Sequence, residues 1–283
     1  MSAESSKLFP GRHTFISFVL DALETKSEMS GMAVRYLQRA AMAGIILALF
    51  YVAHYGLSSL FAEMEVGGQS LAPIGRIAGA TAFGFALVFI YFSRSELLTS
   101  NMMVVSVGLY YRTTGIGRAL KLLGLCALGN LAGLGLVAVL LMGSSVLDGA
   151  TMAAMHASVD LKIGYLSQGV FGWGDLLVRA VLCNLLINLA MGIVYSGILD
   201  EATSKTILLI AAIFVFVFLG FEHAVANTAL FLMVGLQESI DWLGALGNVV
   251  VALIGNFIGG GLLIGIYYAY LNDDAQHRPA DRA

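Results

Sequence analysis

Leu219-Gly220-Phe221-Glu222-His223-Ala224-Val225-Ala226-Asn227 lies inside a run from Ile207 to Val234 that is otherwise almost wholly apolar. Hydrocarbon cannot solvate a carboxylate or an imidazole. Such a pair at the middle of an apolar run marks a polar path through a membrane rather than a lipid-facing surface. Gly220 and the short polar Asn227 are what a helix interrupted at mid-membrane needs.

Working outward, the same grammar occurs earlier in Ser93-Arg94-Ser95-Glu96-Leu97-Leu98-Thr99-Ser100-Asn101. Glu96 and Glu222 are 126 residues apart, as are Asn101 and Asn227, Gly129 and Gly255, Asn130 and Asn256, Gly133 and Gly259, and Gly135 and Gly261. Six coincidences at one offset argue for two homologous halves. An internal repeat with an interrupted helix in each half points to a central transport path.

Composition agrees. Of 283 residues 59% are hydrophobic and 12% charged, and the mean hydropathy is +0.86, which excludes an ordinary soluble domain. The 33 glycines and three prolines suit helices packed through small residues. The first long apolar run begins near Ala40 after a charged segment, so no cleavable signal peptide is expected. Cys126 and Cys183 lie in apolar runs and fit neither a disulfide framework nor a metal site.

The chain divides into an N-terminal piece (1–34), a pore domain (35–271) and a tail (272–283). In the first, Phe15, Phe18, Val19, Ala22 and Leu23 recur at helical spacing opposite Ser17, Asp21 and Glu24. This is an amphipathic helix that either lies on the membrane surface or packs on the bundle. Six spans of about 20 residues follow, near 38–60, 74–99, 117–142, 176–199, 206–235 and 243–270, and the second and fifth carry the interrupted motifs. Lys7, Arg12, Lys26, Arg35, Arg39, Arg112, Arg118, Lys121, Lys205, Arg278 and Arg282 fall on one side, against Arg76, Lys162 and Arg179 on the other. The positive-inside rule puts both termini in the cytoplasm. Three spans per half is an odd number, so the repeat is expected to be inverted.

These residues resemble the formate/nitrite transporter family from about Arg35 to Tyr270. Gly220-Phe221-Glu222-His223-Ala224-Val225-Ala226-Asn227 is similar to its fifth-span signature and Ser95-Glu96-Leu97-Leu98-Thr99-Ser100-Asn101 to its second. Leu182-Cys183-Asn184-Leu185 is similar to its fourth-span motif, and Gly255-Asn256 with the following glycines to its sixth. The resemblance implies an aquaporin-like all-α membrane protein of the inner (plasma) membrane. It also implies a homopentamer with one pore per protomer, passing small monovalent anions and protons: formate, nitrite, lactate-like carboxylates or hydrosulfide. By position it implies a central pore histidine at His223 and a break-loop threonine at Thr99. Apolar constrictions are implied at Phe83, Leu87, Leu97 and Phe216, vestibule asparagines at Asn184 and Asn256, and a vestibule lysine at Lys162. Arg94 departs from the family, which usually has a small residue there.

The residues themselves suggest roles. A free imidazole titrates near neutral pH, burial lowering that value and an adjacent anion raising it, so His223 is expected to attract a weak-acid anion as imidazolium or to give it a proton. Glu96, Glu222, Asn101 and Asn227 are expected to be structural, taking up groups freed at the helix breaks, and Arg94 is expected to pair with Glu96 or Glu222. Thr99 and Ser100 offer donors at the start of a half-helix. The alternatives are a neutral-solute channel of the aquaporin type, whose Asn-Pro-Ala turns are missing here, and a purely structural membrane protein or a membrane enzyme. For the latter there is no cluster of metal ligands, no cofactor motif and no phosphate-binding loop. No nucleic-acid partner is expected.

Overall fold

A computed structural model describes residues 9–147 and 149–274 of the chain. Lys7, Arg278 and Arg282, used above for orientation, and most of the 272–283 tail lie outside the described residues. Apart from a short hairpin (β1, Glu65–Val66; β2, Gln69–Ser70) the regular elements are helical. They run α1 Phe15–Gly31, α2 Ala33–Ala62, α3 Ala72–Phe92, α4 Leu98–Tyr110, α5 Ile116–Met142, α6 Gly149–Ser167, α7 Gly169–Tyr195, α8 Ala202–Phe218, α9 Ala224–Gly235 and α10 Trp242–Leu271. α10 is π-helical over Phe257–Ile266.

Five of these, α2, α3, α5, α7 and α10, are long and apolar enough to cross a membrane. This is a multi-pass membrane protein. The expected count of six differs because the fifth expected span is divided at Leu219–His223 into α8 and α9, of 17 and 12 residues. The second expected span also ends elsewhere. α3 reaches 21 residues before its break, and the motif residues from Leu98 open a further helix, α4, that runs on to Tyr110. α4 is buried from Leu98 to Gly108, although Ser100, Asn101 and Ser106 make it read as the edge of a span.

Packing repeats in the two halves. α2 packs on α3 and α5, and α7 packs on α8 and α10. α3 meets α8 across the middle, while α4 packs on the π-helical part of α10 and α9 packs on α5. Each second half-helix thus leans on the other half of the chain. The glycines permit the closest approaches. A side chain at Gly133 would run into the Ala41 carbonyl, and one at Gly259 into the Val181 carbonyl. Ala41 and Val181 are 140 residues apart, not 126. The fourteen-residue difference goes into a longer α2 and α3 and the hairpin that joins them.

α1 packs on the bundle, of the two placements the sequence allows. Phe15, Ile16, Val19 and Leu23 are buried, whereas Phe18 is half exposed. Its Lys26 reaches a carboxylate 70 residues away at the second-span break.

Candidate functional site

Both breaks are built by the same hydrogen bonds. After α3, the Arg94 N–H donates to Tyr91 O (3.1 Å) and the Ser95 N–H to Ile90 O (3.0 Å). After α8, the Gly220 N–H donates to Val217 O (3.1 Å) and the Phe221 N–H to Phe216 O (2.9 Å). This is the Schellman helix ending, which requires a left-handed residue. Gly220 (φ +68) and Arg94 (φ +55) supply it. The backbone is then extended at Leu97 and His223, and a new helix starts.

A helix start inside a membrane leaves N–H groups that lipid cannot satisfy. Asn130 and Asn256 meet this need. The Leu98 N–H donates to Asn130 Oδ1 (3.0 Å) and the Ala224 N–H to Asn256 Oδ1 (2.9 Å). The Asn130 amide donates to Ala40 O and Glu96 O, both at 2.8 Å. The Asn256 amide donates to Ala180 O (2.8 Å) and Glu222 O (3.0 Å). One side chain therefore ties three segments together in each half.

Each carboxylate has its own lysine. Lys162 Nζ lies 2.8 Å from both oxygens of Glu222, and Asn227 donates to Glu222 Oε2 at 2.6 Å. Asn248 closes the ring, accepting from Asn227 (2.8 Å) and donating to Lys162 O (2.9 Å). On the other side Glu96 pairs with Lys26 and accepts from Asn101 (3.0 Å). Lys26 is held above its ordinary pKa, because the Glu96 carboxylate outweighs the burial that would lower it.

At the centre the two half-helices touch. Thr99 Oγ1, in the first turn of α4, is 2.8 Å from His223 Nε2, at the N-terminus of α9. His223 Nδ1 accepts the Ala226 N–H at 3.1 Å, which caps α9. With Nδ1 an acceptor, the ring proton sits on Nε2 and is donated to Thr99. Both residues are buried. Two positive helix ends thus converge on one point.

Three cavities beside this contact adjoin through shared lining residues. One of about 240 Å³ includes Lys162, Arg179, Tyr51, Tyr55 and Glu222, and reaches Phe83, Phe216 and His223. One of about 210 Å³ includes Lys26, Arg39, Arg94, Glu96 and Tyr195, and reaches Leu87, Ile90 and Leu97. Between them is a neck of only about 20 Å³, lined by Phe83, Leu87, Leu97, Phe216, Leu47 and His223. Apolar crevices of about 310 and 500 Å³ lie on the flanks and touch neither His223 nor Lys162.

The structure therefore brings together His223, Thr99, Phe83, Leu87, Leu97 and Phe216, with Lys162 in one adjoining vestibule. Asn184 and Asn256 line neither vestibule, contrary to what the resemblance implies. Asn184 is wholly buried and donates to Thr99 O (3.1 Å) and Asn256 O (2.7 Å), so both asparagines hold backbone. The expected pairing of Arg94 with Glu96 or Glu222 is also absent. Both carboxylates already have lysines, and the left-handed backbone at Arg94 leaves its side chain exposed. Sequence reading missed Lys26 and Asn248 as partners of the breaks, and Arg76 and Arg179. These arginines donate to Phe218 O (3.1 Å) and Gly220 O (3.0 Å), the last carbonyls before the second break.

The family model described as "Formate/nitrite transporter" matches residues 13–270. The nitrite transporter NirC of Salmonella typhimurium is 28% identical over 244 residues, 85% of this chain and 84% of that one. The formate channel BtFdhC of Bacillus thuringiensis is 28% identical over 193 residues, 68% of this chain and 71% of that one. A solved "FNT family ion channel" superposes with a TM-score of 0.76 at 23% identity, covering 90% of this chain and 98% of its own. That likeness establishes the fold.

The two break residues make a stability test. A left-handed residue with a side chain is strained by about 1–2 kcal/mol, partly offset because glycine loses more entropy on folding. Gly220→Ala should lower stability in detergent by about 1 kcal/mol, while Arg94→Gly should be neutral or gain up to about 1 kcal/mol. Thermal unfolding checks both. An Arg94→Gly loss as large as that of Gly220→Ala would mean the guanidinium holds something this geometry does not assign.

Proposed function

Because the chain belongs to the formate/nitrite transporter family, we propose that it passes small monovalent weak-acid anions, formate and nitrite first among them, across the membrane. The family is one of channels and transporters, so no enzymatic activity is assigned. The single observation that carries the path is the Thr99–His223 contact, where two positive helix ends meet in a neck between two lysine-bearing vestibules.

The neck sets the chemistry. A bare anion between Phe83, Leu87, Leu97 and Phe216 would lose its hydration with little in return. A weak acid avoids this cost by crossing as the neutral acid. The proton comes from His223 as imidazolium, leaving a neutral ring and, with formate, formic acid. Protonating the ring requires Nδ1 to release the Ala226 N–H, so charging His223 loosens the cap of α9. Thr99 then remains as a hydroxyl that turns to donate to the anion. Arg39 and Arg94 in one vestibule and Arg179 in the other draw the anion in, while Lys26 and Lys162 are each balanced by a glutamate.

The finer architecture belongs to the same reading. Six spans arranged as two inverted three-span halves are supported by the matching bonds at both breaks and by α8 and α9 together having the reach of one span. The basic excess beside Lys205, Arg112 and Arg118 supports cytoplasmic termini in the inner (plasma) membrane, and the family supports a homopentamer. Cysteine at Ser239 should react with an impermeant thiol reagent from outside and cysteine at Ser204 from inside, on a particle five times the 30.0 kDa chain in detergent. Reversed labelling or a stable monomer would undo this arrangement.

Function itself is tested in proteoliposomes, with uptake, internal pH and current recorded together over formate, nitrite, lactate, hydrosulfide and glycerol. Anion uptake accompanied by protons is expected. Passage of glycerol in preference to every anion would favour a neutral-solute channel instead. His223→Asn removes the titrating group and should flatten the pH dependence of flux while the particle stays assembled. A mutant with the wild-type pH profile would make His223 structural only. Because Glu222 and Lys162 adjoin the site, the wild-type curve reports a coupled group, not one imidazole.

A further inference from the structure

The vestibule beside Lys162 contains hydroxyls that the path above does not use. Tyr51 and Tyr55 stand one turn apart on α2, both buried, and Ser158 stands opposite on α6. Tyr55 Oη is 2.7 Å from Ser158 Oγ and 3.5 Å from Tyr51 Oη. The ring of Tyr51 lies 5.0 Å from Phe83, whose ring is 6.1 Å from Phe216, which in turn lies 6.1 Å from His223. The hydroxyl contacts thus run from α6 to Tyr51, whose ring packs on Phe83 at the edge of the neck. All three residues line the same cavity as Lys162.

Counting protons shows what this row is able to do. Three hydroxyls carry three protons, and two links between them use only two. One proton is always left over. When Tyr55 donates to Ser158 and Tyr51 donates to Tyr55, the spare donor is Ser158. When both bonds reverse, it is Tyr51, beside Phe83. Lys162, by contrast, has its two hydrogen bonds on Glu222. Its charge is paired with Glu222, and the phenols add neutral O–H donors beside that pair. His54 fixes their planes, its ring stacked on Tyr51 at 5.9 Å and edge-on to Tyr55 at 4.9 Å.

We infer that Tyr51 and Tyr55, linked to Ser158, are specificity-determining residues that favour oxygen-bearing anions over hydrosulfide at the entrance to the neck. Formate and nitrite present oxygen acceptors that take a phenol O–H bond. Hydrosulfide is a sulfur anion, a weaker partner for the same donor. The inference rests on the anion-passage reading and deepens it, naming oxyanions as the substrate class. A plain structural clip between α2 and α6 would instead affect every anion alike.

The test measures formate, nitrite and hydrosulfide uptake in the same proteoliposome preparation for wild type, Tyr51→Phe, Tyr55→Phe and the double variant. The readout is the flux ratio of each oxyanion to hydrosulfide, which does not depend on how much protein has folded; elution from a sizing column reports assembly separately. Tyr51→Phe should lower the ratios about tenfold, the weight of one hydrogen bond to a charged group, and the double variant at least as much. Ratios within about twofold of wild type in every variant, whether total flux falls or not, overturn the inference and leave anion passage standing. A wild-type protein that passes none of the three anions overturns both.

Discussion

Two carboxylates buried inside a membrane protein are the constraint on which the other features depend. Glu96 and Glu222 are 4% and 2% exposed, so neither is able to borrow solvation from bulk water. Each is held by a lysine from an element outside its own helix, Lys26 from α1 and Lys162 from α6, and by an asparagine five residues on. Removing one member of such a pair leaves an uncompensated charge, which is far costlier than removing both. This explains why α1 and α6, neither of them among the five long spans, are docked on the bundle. They deliver the counter-charges.

The pairs serve the break, and the break serves the waist. A chain that stops being helical in mid-membrane must satisfy its backbone, which Asn130 and Asn256 do, and must turn, which Arg94 and Gly220 do. Only then do α4 and α9 start where their N-termini meet at Thr99 and His223. Under the proposed function, the local positive potential there and the two lysine-bearing vestibules act on an anion, while the narrow apolar neck admits only what is nearly neutral. The neutral ring that caps α9 and the charged ring that gives a proton differ by one backbone hydrogen bond. Proton supply and local helix structure are therefore linked.

Much of this was legible in the sequence because it is local or repeated. Glu222 and His223 stand out against their apolar run, and the 126-residue offset exposes the second break. What was not legible is set by distance and geometry. Lys26 and Glu96 are 70 residues apart, and neither Lys26 nor Lys162 has a lysine at the 126-residue offset, where Met152 and Tyr36 stand. The second expected span, 74–99, was ended inside its interrupted motif, so α4 was missed even though Met102 to Val105 are apolar. The family resemblance implied vestibule positions for Asn184 and Asn256; in place, their amides are used on backbone carbonyls. Arg94 looked like an ion-pair partner because of its charge, whereas its position is decided by a backbone turn.

Mutual neutralisation of Lys162 and Glu222 holds the break, and a double-mutant cycle measures it. Thermal stability in detergent would be compared for wild type, Lys162→Met, Glu222→Gln and the double variant. The account predicts that each single substitution costs about 3–5 kcal/mol and that the double variant costs clearly less than their sum, a coupling of at least about 1 kcal/mol. Losses that simply add would contradict it, because the lysine and the glutamate would then be stabilising the fold independently.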